Sequence, residues 1–277
     1  MRNLLPVSVI IPCYCCSETL QRAVFSVFSQ TDLPCEIVLV NDASPDAGMT
    51  QQVIDMILFS MNDKGPHIHS LYLSVNQGAG AARNAGWEIA TQLFIAFLDA
   101  DDSWHPYKLF YQYCFMMQNP HCVMSCHQTQ FFFNNSLDHP IHLPIYFKRI
   151  ELRGLLYKNT IGTRTVMIKR NITERFPFDM RYAEDFSLWL SILSVGACVY
   201  CIDLPLAFVY KSNFGDSGLT SNTALMHQGV LKCFSNLSNR RIISYNCFIS
   251  AVSFEYAKYF ARLFFVFLRK CTKTFNK

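Results

Sequence analysis

The sequence predicts an α/β fold: a mostly parallel central sheet with flanking helices, followed by a C-terminal amphipathic helical segment. Two observations carry the sheet. Short apolar runs without polar alternation recur through the first hundred residues, as in strands buried on both faces. Segments with helical spacing of apolar residues lie between them, the order expected of right-handed crossovers onto parallel strands. A third observation carries the C-terminal segment, where aromatic and basic residues crowd into one helix-length stretch. At 277 residues, 51% of them hydrophobic, the chain can fill one large α/β domain or a domain with an appendage.

The first strand is Val7-Ser8-Val9-Ile10-Ile11, closed by Pro12, and Cys13-Tyr14 begins the connection. Ser17 can cap a helix running to about Ser29, with Leu20, Val24, Val27 and Phe28 on one side. Ile37-Val38-Leu39-Val40 is the second strand. It ends in Asn41-Asp42-Ala43-Ser44-Pro45-Asp46, a turn-forming cluster. A helix over residues 51–60 and a third strand over residues 68–75 follow. Asn76-Gln77-Gly78-Ala79-Gly80 then leads into a helix over residues 81–91. Phe94-Ile95-Ala96-Phe97-Leu98 is the fourth strand, and it stops abruptly in Asp99, Asp101 and Asp102. Asp99 and Asp101 stand two apart, so both can converge on one cation or sugar-phosphate group. Hard oxygen ligands of this kind suit Mg²⁺ or Mn²⁺ together with a diphosphate. Taken alone, such a pair reads more plainly as a solvated acidic turn. Tyr14, Asp42 and the Asp99/Asp101 pair, however, follow three different strands, and the carboxyl ends of parallel strands share one edge. That convergence points to a nucleotide-type site.

Beyond Pro106 the alternation weakens into a mixed α+β region. A helix is predicted over residues 106–118, a strand over residues 122–133 with a candidate break at His127, a loop over residues 134–144, and a strand over residues 163–168. Glu184-Asp185 opens a helix ended by Gly196. Negative charge is favoured at that terminus by the helix dipole, so capping is the structural alternative to a chemical role for the pair. Two strands, residues 199–202 and 206–210, flank Pro205. The polar loop 211–221 is long enough to close over a ligand. From Ser253 on, Phe254, Tyr256, Tyr259, Phe260 and Leu263 to Leu268 accompany Lys258, Arg262 and Arg269 on one stripe. The apolar run is far shorter than the roughly 20 residues a span needs. A helix over residues 253–270 lying in an anionic membrane surface fits instead, with docking on the protein's own core as the alternative.

Net charge is +4, too modest by itself to imply a nucleic-acid partner, and none is expected. The start of the chain is not a secretory signal, and twelve cysteines without one suggest reduced thiols and a cytoplasmic location. Cys13/Cys16 and Cys198/Cys201 have C-x-x-C spacing, but each falls in or beside a strand, and buried thiols are expected there rather than zinc.

Five motifs in order then resemble a known family: residues 7–14, Val40-Asn41-Asp42-Ala43-Ser44, Asn76-Gln77-Gly78-Ala79-Gly80-Ala81-Ala82-Arg83-Asn84-Ala85-Gly86, Leu98-Asp99-Ala100-Asp101-Asp102, and Glu184-Asp185 ahead of Phe186-Ser187-Leu188-Trp189. Over residues 5–220 or so the chain resembles the bacterial family-2 glycosyltransferases, which have the GT-A nucleotide-diphospho-sugar transferase fold. The resemblance implies a metal-dependent, inverting enzyme. It would move sugar from a nucleotide donor, commonly UDP-linked, to a lipid-linked or polysaccharide acceptor in capsule, exopolysaccharide or O-antigen assembly. It implies that Pro12 and Tyr14 line the nucleoside pocket, that Asp42 hydrogen-bonds the base, and that Arg83 approaches the nucleotide-sugar. Asp99 would contact the ribose or sugar, Asp101 the Mn²⁺ or Mg²⁺ on the diphosphate, and Asp185 would be the catalytic base. Lys211 stands where the family's flexible loop more often has Arg, and the cysteines after Tyr14 replace the usual Asn-containing pattern. The expected division is a GT-A domain over residues 1–220, with a nucleotide half (1–102) and an acceptor and base half (103–220), and a helical extension over 221–277. The expected location is the inner face of the bacterial cytoplasmic membrane, held peripherally. Two other readings are open. Gly78-x-Gly80 opening a helix, with Asp99 about 20 residues on, matches part of a dinucleotide fingerprint, but Arg83 stands at the third glycine position. A catalytically inactive nucleotide-sugar-binding homologue is the other, against which the carboxylates Asp42, Asp99, Asp101 and Asp185 argue.

Overall fold

β1 (Leu4–Cys13) lies in the middle of the sheet because its residues are apolar on both faces. Val7, Val9 and Ile11 enter one hydrophobic cluster and Ile10 the other. It runs parallel between β2 (Leu33–Asn41) and β4 (Phe94–Phe97), and β3 (His67–Tyr72) adds a parallel edge to β2. The crossovers are α1 (Leu20–Phe28), α2 (Met49–Met61) and α3 (Ala79–Ile89). The chain is seen as a computed structural model that describes residues 3–61, 65–132, 144–210 and 222–275, with side chains up to Phe265 in the last segment.

Beyond β4 the sheet becomes mixed. β8 (Met167–Lys169) pairs antiparallel with β4 and with β6 (Cys122–Phe131), and β6 pairs parallel with β9 (Cys198–Val209). β5 (Ser103–Trp104) and β7 (Phe147–Arg149) both pair antiparallel with β9. The helices α4 (Lys108–Gln118), α5 (Leu152–Tyr157), α6 (Glu184–Ser194), α7 (Thr223–Asn239) and α8 (Tyr245–Phe275) complete the described chain. Cys233, Phe234, Leu237, Ile243 and Ala251 join Phe186 and Trp189 in one core cluster, so the C-terminal helices pack on α6.

Several expectations are corrected. The segment 163–168 is not one strand: Thr163–Thr165 is a 3₁₀ turn, closed by the Thr165 N–H and hydroxyl on the Gly162 carbonyl, and β8 starts only at Met167. The two strands around Pro205 are one strand, β9. Its partner β6 shifts register on both sides of Gln128, which pairs with Pro205, and such an irregularity tolerates a residue without an N–H. For the same reason β6 continues through His127. α1 starts at Leu20 after Thr19 rather than at Ser17, and α8 starts eight residues ahead of Ser253. Two close approaches fix the parallel half. A Cβ on Gly86 would sit 2.6 Å from Ile10 Cγ2, so only glycine lets α3 lie this close to β1. The buried Glu36 accepts from the Ser8 hydroxyl and from the Thr91 N–H and hydroxyl (3.0 and 3.1 Å), tying β1, β2 and the start of β4 together.

Candidate active site

The carboxyl ends of β1, β2 and β4 open on a cleft of about 980 Å³. Pro12, Tyr14, Asp42, Arg83, Asp99 and Asp101 all line it, so six of the sequence-predicted residues are brought together. Lys211 lies outside the described residues. Asp185 is not among the lining residues; its neighbour Glu184 is.

Asp42 is buried at the end of β2 and already well supplied with donors. Its Oδ1 accepts the Gln77 N–H (2.8 Å), and its Oδ2 accepts the Gly78 N–H (2.8 Å) and the Asn76 amide (2.9 Å). The amides that a dinucleotide's pyrophosphate would use at the start of α3 are thus spent on a protein carboxylate. Gly78 takes φ +93, which makes that turn possible, and a Cβ on Gly80 would sit 2.9 Å from Glu184 Cγ. The glycines therefore serve a tight turn and the close approach of α6 to α3.

That approach builds a ladder of alternating charge. Arg83, buried on α3, places Nη2 at 2.6 Å from Asp99 Oδ1 and Nη1 at 3.3 Å from Glu184 Oε1. Arg164, on the 3₁₀ turn, lies 3.6 Å from Asp99 Oδ2 and 3.1 Å from Asp102 Oδ2. Burial tends to raise the Asp99 carboxyl, but Arg83 and Arg164 outweigh it and hold it below its ordinary value. Burial also raises Glu184, helped by the charge of Asp185, to about 7 despite Arg83. Asp102, buried and beside Asp99 and Asp101, is pushed up to about 8 although Arg164 opposes this. Sequence reasoning missed Arg164. A lone arginine leading an apolar strand, Arg164-Thr165-Val166-Met167-Ile168, is the signal that was there.

Asp185 opens α6 with its Oδ1 on the Phe186 N–H (2.7 Å) and its Oδ2 on the Thr163 hydroxyl (3.2 Å). Burial raises its carboxyl, while these two donors and Arg83 favour the ionised form. A basic carboxylate held by two donors suits a proton acceptor. On the other flank, Arg22 of α1 donates to the Asp101 carbonyl (2.6 Å), its guanidinium stacks 3.6 Å from the centre of the Tyr210 ring, and Tyr210 bonds the Ser103 hydroxyl (2.8 Å). Arg181, another cleft residue, donates to the Asn76 carbonyl (2.7 Å).

The hard donors facing the cleft are carboxylate oxygens, and the thiols of Cys13, Cys15 and Cys16 line it as well. Among the described residues no group of three potential ligands is assembled in advance. Mg²⁺ and Mn²⁺ are commonly held by one or two carboxylates together with substrate phosphates, so Asp101, partly exposed on the cleft wall, fits such an ion. The cysteines of the C-x-x-C pairs are free thiols, with Cys13 and Cys16 buried.

The chain is similar to known proteins. The chain is 34% identical over 211 residues to TuaG of Bacillus subtilis (strain 168), a glycosyltransferase named for teichuronic acid biosynthesis, covering 75% of this chain and 80% of that one. It is 33% identical over 187 residues to WfgD of Escherichia coli, named a UDP-Glc:alpha-D-GlcNAc-diphosphoundecaprenol beta-1,3-glucosyltransferase, covering 68% and 69%. In fold it matches S. aureus TarS in complex with UDP-GlcNAc, with TM-score 0.63 and 18% identity over 86% of this chain and 67% of that one. It also matches the mannosyltransferase PcManGT of Pyrobaculum calidifontis in complex with GDP-Man and Mn²⁺, with TM-score 0.64 and 17% identity over 92% and 69%. The family model for glycosyl transferase family 2 matches residues 8–176, which hold the Asp42 turn, the glycine turn and the Asp99–Asp102 carboxylates, and the chain belongs to that family.

Proposed function

We propose that this glycosyltransferase moves a sugar from a UDP-linked donor to a lipid-linked saccharide, with inversion at the anomeric carbon, in bacterial surface-glycan assembly. The observation that carries this reading is the convergence of Asp42, Arg83, Asp99 and Asp101 from separate strand ends and a helix in one cleft, with Glu184-Asp185 at its side. The names of the relatives support the donor and acceptor classes. Tyr14, half-exposed on the cleft wall, offers a ring face to the base, and Asp42 keeps lone-pair capacity on Oδ1 for a base N–H. Asp99, fixed by Arg83 and Arg164, meets the ribose or sugar, and Asp101 would hold the divalent ion. When bound, that ion supplies positive charge to the departing diphosphate. Lys211 belongs to the same donor side.

The acceptor hydroxyl attacks the anomeric carbon as the bond to the diphosphate breaks. The hydroxyl proton goes to the Asp185 carboxylate, and the electron pair leaves with the nucleoside diphosphate. One displacement inverts the centre, and no enzyme nucleophile takes part. The Thr163 hydroxyl and the Phe186 N–H keep Asp185 in place. A second assignment, Glu184 as proton acceptor, is favoured by its position on the cleft wall and its value of about 7. The division at residue 220 and a peripheral place at the inner face of the cytoplasmic membrane belong to the same proposal. No helix among the described residues is long and apolar enough to cross a membrane.

Calorimetric titration with UDP, with and without Mn²⁺, on wild type and Asp101→Ala tests the donor site. Metal-dependent binding that the substitution abolishes is the expected result. Binding of GDP or dTDP in place of UDP would change the donor class, and binding of no nucleotide would overturn the reading.

A further inference from the structure

α8 is an amphipathic helix turned inside out. Its polar side faces the protein: Glu255 is fully buried, with Lys258 Nζ at 2.6 Å, Arg262 Nη1 at 3.2 Å and His227 Nδ1 at 3.4 Å. Lys258 also donates to the Tyr157 carbonyl of α5 (3.2 Å). Two of the cations that the sequence assigns to an outward basic stripe are thereby drawn to one buried carboxylate and left only partly exposed. The opposite side is apolar and exposed. Tyr245, Ile249, Tyr256, Phe260, Leu263 and Phe264 recur at helical spacing along one face and are 38–72% exposed. A continuous face of large apolar side chains on a 31-residue helix is more than the scattered exposed residues of an ordinary surface.

Charge says what covers it. Residues 222–277 hold nine of the chain's 24 Lys and Arg but only one of its 20 Asp and Glu, and that one is Glu255. The C-terminal segment therefore carries a surplus of eight positive charges, while residues 1–221 carry a surplus of four negative ones. Arg240 and Arg241, at the turn into α8, are exposed. A second copy would bring the same positive surplus against itself. An anionic lipid surface offers both an apolar layer for the aromatic residues and charge for the cations.

We infer that the exposed aromatic face of α8, rather than a basic stripe, is the surface by which this chain lies in an anionic bilayer, with Glu255 holding the helix in that rotation. The inference rests on the proposed lipid-linked acceptor for its biological sense but is tested separately from it. The full chain is sedimented with vesicles of phosphatidylcholine alone or mixed with phosphatidylglycerol, at low and high salt, beside Phe260→Ser/Phe264→Ser. Wild type should bind the anionic vesicles and keep part of that binding at high salt. The double variant should lose roughly tenfold or more, with its melting temperature and UDP binding unchanged. Wild type that stays in solution with both vesicles overturns the inference. So does a variant that binds as well as wild type, which would hand the contact to the cations alone, and so does a wild-type dimer that the variant turns into a monomer. Wild type that binds vesicles but not UDP leaves this face standing and overturns the donor reading.

Discussion

Arg83→Met removes the rung shared by Asp99 and Glu184 while keeping side-chain volume. Deleting one partner of a buried ion pair costs roughly 3–5 kcal/mol, because the other charge is left unpaired. Asp99 keeps Arg164 at 3.6 Å, so the lower end, about 3 kcal/mol, is expected. The loss must also depend on pH. In wild type Asp99 is held below its ordinary value, a contribution present above that ordinary value and lost as pH falls through the depressed one. Removing Arg83 removes most of that contribution. Glu184, raised to about 7, favours the folded state when protonated and loses that as pH rises through 7; without Arg83 its ionised form becomes costlier still. The Asp99 part of the deficit is the same at any pH well above its ordinary value, whereas the Glu184 part grows as pH rises through 7, so the deficit is larger on the alkaline side. Urea unfolding at about pH 5.5 and about pH 8.5 measures it. A deficit under about 1 kcal/mol at the higher pH, or equal deficits at both, would refute the ladder as an energetic unit. The pair Arg83→Met and Glu184→Gln should be non-additive by roughly 0.5–3 kcal/mol.

Asp185→Asn should lower kcat by roughly 10²–10⁴-fold while leaving UDP binding intact, and Glu184→Gln should lower it far less. Steady-state kinetics and calorimetry on both variants decide the base, and the reverse order assigns it to Glu184. Gly86→Ala drives a Cβ to 2.6 Å from Ile10 Cγ2 and 3.1 Å from Val40 Cγ2, so unfolding free energy should fall by roughly 1–3 kcal/mol. A urea midpoint equal to wild type would show that α3 can lift off β1 freely.

The parallel half was legible because its signals are local. Uninterrupted apolar strands, polar clusters at their ends and a glycine turn each state their structure within ten residues, and Asp42, Asp99 and Asp101 followed from them. What escaped depends on residues far apart in sequence. Arg164 becomes a site residue only because the 3₁₀ turn carries it to a strand end more than sixty positions earlier. Glu184 reads as a dipole-favoured residue until Gly80 lets α6 approach Arg83. The strand pair around Pro205 looked like two because a proline interrupts the pattern, whereas a register shift in β6 absorbs it. The C-terminal helix was read from composition, which cannot tell which stripe faces inward; one buried carboxylate, Glu255, decides that.

The same ladder gives a physical reason for the proposed divalent ion and donor to bind together. Asp99, Asp101, Asp102, Glu184 and Asp185 face two interior arginines, Arg83 and Arg164. Burial, with like charge adding to it, keeps protons on two of these carboxyls near neutral pH, since Glu184 rises to about 7 and Asp102 to about 8. A diphosphate entering alone would add negative charge to an already negative cleft, and a cation entering alone would lack phosphate oxygens. Together they neutralise one another, so each should raise the affinity of the other by the same factor. A cation held at Asp101 would lower the cost of ionising Asp102, the next residue along, which carries a proton near neutral pH. Joint binding of UDP and Mn²⁺ at about pH 7 should therefore release protons. Calorimetry in buffers of different ionisation enthalpy reads that release directly. An observed heat independent of buffer would mean that Asp102 keeps its proton, and the electrostatic account of the proposed metal dependence would fail.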